Sequence, residues 1–321
     1  MSGGESNYVH FGFESTFKGA ATANKVFGEN VSIRSVDLKN NVRRLFRLGS
    51  RSAMGHVAGK MEGALSLEFD INPNDPWFLQ GVIGTCTTSG SATSAYWHTF
   101  VETNKPLSLT IENGISGVVR KYLGCIIGDC KISTAVGDEP AKCSLTVTYA
   151  DEQMCSGTTT QIQSSGAVMP FSYGDIQYPT GTSIANTESV EMTITNTAAL
   201  KWALGSRKAS RYDMRQRTYD VTTTNYFDDA NSYLRRVYGS TGVDTPNTMM
   251  VSGEAGITIS LNNGQVSASD KKVFTFTFTS ATIERHSLGT QNVETEQMET
   301  IDIIPESCLI QVINQASGMV G

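Results

Sequence analysis

The chain has 321 residues and a net charge of −6, and its charged fraction of 17% lies below the average of about 25% for globular proteins. This length predicts two domains of ordinary size. Abundant Thr and Ser, with 30 Gly and only 8 Pro, favour strands and turns over helices. No apolar run is long enough for a membrane-spanning helix, and residues 1–16 lack the basic and apolar regions of a secretory signal. We therefore expect a soluble protein made in a cytosol.

In chain order, the sequence predicts an N-terminal arm, a first β domain, a connector, a second β domain and a C-terminal tail. Their predicted bounds are residues 1–30, 31–152, 153–185, 186–305 and 306–321. The arm carries aromatic anchors at Tyr8, Phe11, Phe13 and Phe17. The connector contains "CSGTTTQIQSSG" at residues 155–166, a composition typical of linkers. The tail begins with a segment that could add one more strand.

Within each predicted domain the order is a strand, a long basic segment, a strand, a short helix and three further strands. Apolar and polar residues alternate in several segments, namely 64–71, 107–111, 144–149 and 272–280. In the last segment Phe274, Phe276 and Phe278 share one face, and threonines occupy the other. Such strands have one buried and one polar face. The pattern predicts a mainly β fold, with two tandem copies of a β-sandwich or barrel domain that each carry one short flanking helix and a long loop.

A short identity suggests that the two domains are copies of each other. Leu-Gly-Ser-Arg occurs in "RLFRLGSRSA" at residues 44–53 and again in "KWALGSRKAS" at residues 201–210, with Leu48 and Leu204 separated by 156 positions. At the same separation, "SVDLKNN" at 35–41 falls on "SVEMTIT" at 189–195. An internal repeat fixes the domain count before any chemistry is considered.

Further blocks match in the same order along the chain. The matched pairs are 74–84 with 228–239, 107–114 with 257–264, 125–132 with 276–283, and 144–149 with 298–303. Both members of the first pair read as a short helix, with acidic or Asn residues available to cap the start and Gly84 or Gly239 at the end. The separation drifts from 156 to 150 and back to 154, as small loop insertions would produce. The competing explanation is that any two β segments share a two-residue period.

Residues suited to catalysis or metal binding do not form a recognisable pattern. The six cysteines are spaced irregularly, without a Cys-x-x-Cys motif, and we expect free thiols buried in strands. The histidines His10, His56, His98 and His286 have no matching partner across the repeat and no Ser or carboxylate context for a triad or an acid/base pair. We therefore predict no enzyme activity, no metal site and no cofactor.

Charge is concentrated in two segments at equivalent places in the repeat. Residues 43–60 and 201–217 each carry a net charge of +5, which leaves −16 on the rest of the chain. This arrangement suits subunits that dock a basic loop on an acidic surface. Two other interpretations stay open: a pair of solvated loops, and a nucleic-acid footprint, which the acidic body disfavours. The predicted contact residues are Arg43, Arg44, Arg47, Arg51, Lys60, Arg207, Lys208, Arg211, Arg215 and Arg217.

The N-terminal "FGFESTFKGA", the order of elements and the "DPWFLQGVIG" helix at 75–84 resemble the tail tube proteins of long-tailed phages and archaeal tailed viruses, in a double-domain form. The resemblance implies two packed β-sheets with a flanking helix, a long loop that reaches the adjacent ring, and stacked rings whose inner strands close around a lumen. Family rings are usually sixfold, so two domains per chain imply three chains per pseudo-sixfold ring. Residues 43–60 and 201–217 fall where the inter-ring loop would be. The long 155–185 connector departs from the pattern.

We therefore predict a structural virion protein that is made in the host cytoplasm and polymerises into the tail tube. Its predicted partners are other copies of itself, other tail proteins at the tube ends, and viral DNA, which an acidic lumen would pass without tight binding. The alternatives are another β-rich virion component, such as a tail terminator or capsid-decoration protein, and a carbohydrate-binding β-sandwich. The last would display exposed Trp or Tyr on a sheet face, and the chain has only Trp77, Trp97 and Trp202.

Overall fold

A computed structural model describes residues 7–91, 95–115, 118–155, 168–178, 180–181, 183–184, 186–227, 255–265, 270–289 and 297–315. Within these ranges the chain forms nineteen strands and one short α-helix. The strands are β1 (Tyr8–Phe13), β2 (Lys25–Val26), β3 (Glu29–Lys39), β4 (Arg43–Phe46), β5 (Ala53–Val57), β6 (Glu62–Asp70), β7 (Gly84–Ser91), β8 (Ala95–Glu102), β9 (Leu109–Ile115), β10 (Val118–Ala135), β11 (Lys142–Tyr149), β12 (Asp151–Cys155), β13 (Asp175–Gln177), β14 (Thr187–Lys201), β15 (Arg211–Tyr226), β16 (Ala255–Asn262), β17 (Val273–Leu288), β18 (Met298–Ile304) and β19 (Ser307–Asn314). The helix α1 spans Leu79–Val82 and follows a 3-10 turn at Pro76–Phe78.

Eight strands form an antiparallel sheet, here called the central sheet, in the order β3-β6-β11-β10-β14-β15-β18-β17. The long strands β10 and β17 leave it and continue into two smaller sheets. The first smaller sheet has the order β2-β1-β9-β10-β12, and the second has the order β13-β16-β17-β19-β8-β7. Only β4 and β5 stand outside this connected network among the described strands.

Each long strand bends where it passes between sheets. Gly124 in β10 has φ +63 and Ser280 in β17 has φ +50, both in the left-handed region. Glycine adopts this conformation without strain, whereas an L side chain is disfavoured there by about 1–2 kcal/mol. The bends let one strand contribute to two sheets.

The core lies beneath the central sheet and is continuous across both halves of the chain. One hydrophobic cluster includes Leu65 and Leu67 from the first half together with Phe276 and Ile301 from the second, each no more than 2% exposed. Residues at alternate positions of β17 are buried, as the sequence predicts for its three phenylalanines. Burying each such side chain contributes about 1.5–3 kcal/mol. The predicted mainly β fold is confirmed.

The short helix predicted near residues 74–84 is confirmed, and its residues are buried. Every residue from Pro76 to Val82 is buried, and a side chain at Gly81 would approach Ile127 Cδ1 to 3.1 Å. Asp75 occupies the position before the first turn but makes no capping hydrogen bond with its side chain. The Asp75 N–H donates to Asn72 O at 3.1 Å, and the Asn74 N–H donates to Asn72 Oδ1 at 2.8 Å. Pro76 suits the first helical position because its missing N–H would be unsatisfied there. The second predicted helix, at 228–239, lies outside the described residues.

The arm, the connector and the tail each contribute a strand to the sheets. In the arm, β1 pairs with β9 along its whole length, and in the connector β13 pairs with β16. The tail strand β19 lies between β17 and β8. The buried carboxylate of Glu14 also fixes the arm, accepting hydrogen bonds from the Thr110 hydroxyl and the Gly124 N–H at 3.0 and 2.8 Å. The domain bounds predicted from sequence stay a prediction.

All six cysteines are free thiols, four of them buried and Cys86 and Cys155 half-buried. No helix in the described part of the chain is both long and apolar enough to cross a membrane.

Candidate functional site

The first basic segment forms a protruding β-hairpin of β4 and β5. All four residues of β4 are exposed, including Arg43 and Arg44. Arg47 and Arg51 lie in the exposed connection between the two strands. The hairpin also exposes apolar side chains, with Phe46 at 65% and Met54 at 60%. An exposed ribbon that is both apolar and basic is suited to contact with another molecule.

The second basic segment covers the end of the β14–β15 hairpin. Arg211 and Arg215 are exposed there on β15. Lys201, on β14, lies 3.9 Å from Asp213, an exposed pair that contributes little to stability. The predicted second basic loop is therefore the tip of an extended strand pair.

The Leu-Gly-Ser-Arg identity corresponds to the same turn in both hairpins. Gly49 has φ +85 and Gly205 has φ +86. The N–H groups of the following serines donate to Arg47 O and Ala203 O at 3.1 and 3.3 Å, and their hydroxyls donate to Ser52 O and Lys208 O, each at 3.1 Å. The preceding leucines, Leu48 and Leu204, are fully exposed. The repeated sequence thus specifies a repeated turn that presents an apolar side chain at its tip.

The two basic segments contact each other at their bases. The Arg207 Nε–H donates to Gly59 O at 2.8 Å, and the Met61 N–H donates to Arg207 O, also at 2.8 Å. The Trp202 Nε1–H donates to Met61 O at 3.3 Å, and Lys60 Nζ lies 4.4 Å from the centre of the Trp202 ring. These contacts join the segments into one basic surface, defined here as the β4–β5 hairpin together with residues 201–215.

Some predicted contact residues are engaged within the chain. Lys60 pairs with Glu62 and Lys208 with Asp151, each at 2.5 Å. The Arg217 side chain is only 14% exposed. Its guanidinium donates to Asn196 Oδ1 at 2.8 Å and to Ile83 O, just after helix α1, at 3.0 Å. A cation is stabilised beside the last carbonyls of a helix. Arg217 therefore anchors β15 to the helix and differs in this from the exposed Arg211 and Arg215.

The second surface is the solvent-facing side of the central sheet, here called the hydroxyl face. Its strands alternate buried apolar residues with half-exposed Ser, Thr and charged residues. The face carries the hydroxyl residues Ser66, Ser133, Ser144, Thr146, Thr193, Thr195, Thr218, Thr222, Thr224 and Thr300. Sequence reasoning predicted the alternation but did not bring these strands from both halves together in one sheet.

Three cations on the hydroxyl face are held by neighbouring carboxylates. Arg34 bonds Glu68 through two N–H groups at 2.9 Å, and this hydrogen bonding lowers the pKa of the Glu68 carboxyl. Lys131 pairs with Glu191 at 2.7 Å, and Arg285 pairs with Asp302 at 2.6 Å. Further acids on the face are Asp37, Asp129 and Asp220. Paired cations are less available to an anion, so the face offers little attraction to polyphosphates.

The histidines occupy unrelated environments. His98 lies in the interior, with its ring nitrogens 2.8 Å from Thr88 Oγ1 and 2.9 Å from Asn314 Oδ1. His286 contacts the buried Glu299 at 3.0 Å, and His56 is exposed. The described residues contain no group of three or more His, Cys, Asp or Glu side chains that could hold a metal ion.

The structure therefore has two candidate contact surfaces, the apolar and basic surface and the polar hydroxyl face of the central sheet. The comparison with known families gives the particular class: the model of the phage tail tube protein family matches residues 4–290, nearly the whole chain. The chain belongs to this family. It is therefore a structural protein of the virion tail, and family membership implies assembly into a tail tube together with other tail proteins. No curated protein matches the chain.

Proposed function

We propose that the chain contains two tube domains and polymerises into stacked rings, three chains per pseudo-sixfold ring, that form a conduit for viral DNA. The observation that carries the proposal is a repeat in hydrogen-bond register within the central sheet. The proposal includes synthesis in the host cytoplasm and contacts with other tail proteins at the tube ends. Family membership favours this role over a tail terminator, a capsid-decoration protein or a carbohydrate-binding module.

The order and register of the strands support a repeat. The first half contributes β3-β6-β11-β10 and the second half β14-β15-β18-β17, in the same spatial order. Equivalent residue pairs differ by 156 at three strand contacts of the central sheet: Val36↔Leu65 and Met192↔Val221, Leu67↔Leu145 and Thr223↔Ile301, Ile127↔Val147 and Ile283↔Ile303. A register irregularity follows Ile127 in β10 and Ile283 in β17. The left-handed residues Gly124 and Ser280 also differ by 156. Shared two-residue periodicity does not produce these coincidences.

The registers correct the residue alignment that the sequence suggested. Sequence matching placed residues 125–132 opposite 276–283, a separation of 151, whereas the registers of β10 and β17 give 156. For β9 and β16 the registers give 146 instead of 150, since Ile111↔Tyr122 corresponds to Ile257↔Phe278. The proposal therefore keeps the strand-to-strand matches and shifts the residues within them. For β9 and β16 the shift is four residues, an even number over which a period-two pattern repeats.

Ring formation follows from the strand edges. A long sheet edge with free N–H and C=O groups invites pairing with another chain, and closing a ring removes such edges. Two equivalent units per chain give a sixfold arrangement of units when three chains close. This stoichiometry is part of the proposal.

We assign the hydroxyl face to the lumen and the basic surface to contacts between rings. Ion-paired cations and uncharged hydroxyls on the hydroxyl face would let DNA pass without tight binding. On the basic surface the exposed residues Arg43, Arg44, Arg47, Arg51, Arg211 and Arg215 are available to acidic groups of a neighbouring ring. Lys60, Arg207, Lys208 and Arg217 support that surface from within the chain.

Negative-stain electron microscopy of the purified chain tests the proposal. We expect rings or tubes with an open lumen as protein concentration rises. Particles that remain single globular chains at all concentrations, with sedimentation at the monomer mass, would refute it.

A further inference from the structure

The central sheet has two open edges among the described strands. At one edge, β3 pairs only with β6. At the other, residues Thr282–Leu288 of β17 pair only with β18. Each edge is several residues long, and no other described strand pairs with its outer side. Such edges are templates for strand addition.

The chain itself contains two strands of this kind that already pair with each other, and we call this contact the internal junction. Residues Asp129–Ala135 of β10 pair with Ser189–Thr195 of β14, where the last strand of the first half meets the first strand of the second half. In the 156-residue repeat, β10 corresponds to β17 and β14 corresponds to β3. The internal junction is therefore a template for pairing β17 of one chain with β3 of the next.

We propose that β17 of one chain pairs antiparallel with β3 of a second copy, in the register of the internal β10–β14 junction. The inference rests on the proposed function, since it specifies how neighbouring chains of a ring join. Shifting each internal pair by 156 gives the contacts between chains: Arg285↔Lys39, His286↔Leu38, Ser287↔Asp37, Leu288↔Val36 and Gly289↔Ser35. The same contact repeated head to tail closes a ring.

Side-chain exposure at these positions supports a second copy as the occupant. Leu38 is 45% exposed and Leu288 is 40% exposed, which is unusual for leucines on the core side of strands. Their counterparts at the internal junction, Ile194 and Ile132, are each 1% exposed. Val36, at 37%, corresponds to Met192, at 1%. The apolar residues left open on both edges are the ones that the internal junction buries, so pairing two copies would complete the core.

The polar positions are compatible with the same register. Ser287 would lie opposite Asp37, where its hydroxyl can donate to the carboxylate. Arg285 would lie opposite Lys39, a like-charge pair, but Arg285 is already held by Asp302 at 2.6 Å. That ion pair offsets the repulsion between the two cations.

Cysteine cross-linking between copies tests the register. The variant Asp37→Cys with Ser287→Cys places thiols directly opposite each other on the solvent side of the proposed junction. Two matched controls use the internal junction. In the first, Lys131→Cys with Thr193→Cys, the two thiols lie opposite each other within one chain. In the second, Ser287→Cys with Thr193→Cys, the register keeps the two thiols apart. Oxidised wild-type protein measures the background of cross-linking through its six native thiols.

After mild oxidation, we expect covalent dimers and larger species only from the Asp37→Cys, Ser287→Cys variant. The Lys131→Cys, Thr193→Cys control should lose free thiols without a change in mass. Rings or tubes by microscopy without covalent multimers would overturn this junction and leave the proposed function standing. A chain that neither assembles nor cross-links would overturn both.

A single substitution gives an independent readout. Leu38→Asp places a carboxylate where the junction would bury an apolar group, and we expect a folded monomer in place of rings. Val101→Asp is the matched control, because Val101 is also 45% exposed but lies on β8, outside both the junction and the basic surface. Sedimentation velocity measures assembly, and circular dichroism measures folding. Rings from Leu38→Asp as abundant as those from Val101→Asp would contradict the inference.

Discussion

At the scale of single residues, equivalent positions in the two halves keep their geometry while their chemistry differs. Cys130 and Cys143 place their sulfur atoms 3.7 Å apart in the core. Shifted by 156, the same positions hold His286 and Glu299, whose side chains meet at 3.0 Å. Strand register determines that the two side chains meet, whereas the residue types at these positions differ between the two halves. Sequence reasoning could not match these pairs, because it compared residue types.

The strand bends provide a test at residue level. Gly124→Ala should destabilise the chain by about 1–3 kcal/mol, since φ is +63 and the added Cβ would approach Phe17 Cε2 to 2.8 Å. Ser280→Gly at the equivalent bend should be neutral or stabilising by up to about 1 kcal/mol, because glycine relieves the left-handed strain. Urea unfolding at low protein concentration measures both. Similar losses from both substitutions would contradict the equivalence of the bends.

Two nearby arginines should differ sharply in their effect on stability. Arg217→Met removes hydrogen bonds to Asn196 and to carbonyls after helix α1, and it should cost about 1.5–3 kcal/mol. Arg215→Met should change stability by less than about 0.5 kcal/mol, because that side chain is exposed. Denaturant midpoints compare the two variants. Equal midpoints would show that the Arg217 contacts do not stabilise the fold.

At the scale of elements, alternation of apolar and polar residues predicted several strands, among them β6, β11 and β17. It did not identify β1 or β13 as strands, because the arm and connector have weak patterns and β13 has only three residues. The charge count found both basic hairpins. It could not separate Arg217 from Arg215, because net charge carries no information about which side chain reaches Asn196 across the β14–β15 pair.

The basic surface leads to a prediction about ring stacking. Arg211→Glu with Arg215→Glu should leave each chain folded, because both residues are exposed, and should weaken the stacking of rings. Each exposed pair contributes only about 0.2–1 kcal/mol, but the loss is repeated at every contact of the ring. Sedimentation across a range of salt concentrations compares the variant with wild type, and circular dichroism monitors folding.

The matched control makes the same charge change elsewhere. Lys271→Glu with Lys272→Glu alters charge at the start of β17, away from the basic surface. Tubes of normal length from the Arg211→Glu, Arg215→Glu variant at low and moderate salt would mean that the basic segments are solvated loops. Shortened tubes from both variants would attribute the effect to net charge alone.

At the scale of the whole molecule, the two halves are joined through a shared sheet and one continuous core. In the proposed two-domain arrangement, the internal β10–β14 pairing is one unit-to-unit contact already formed within the molecule. Such a fusion would halve the number of contacts between chains that a ring must form by association. It would also let the two units diverge, as at the Cys130–Cys143 and His286–Glu299 pairs.

Cryo-electron microscopy of the assembled chain tests the central claim most directly, because it measures how many chains surround the lumen. We predict three chains per ring, with six similar units related by exact threefold and approximate sixfold symmetry, and β17 of each chain beside β3 of the next. A ring of six chains, with twelve units around the lumen, would contradict the account.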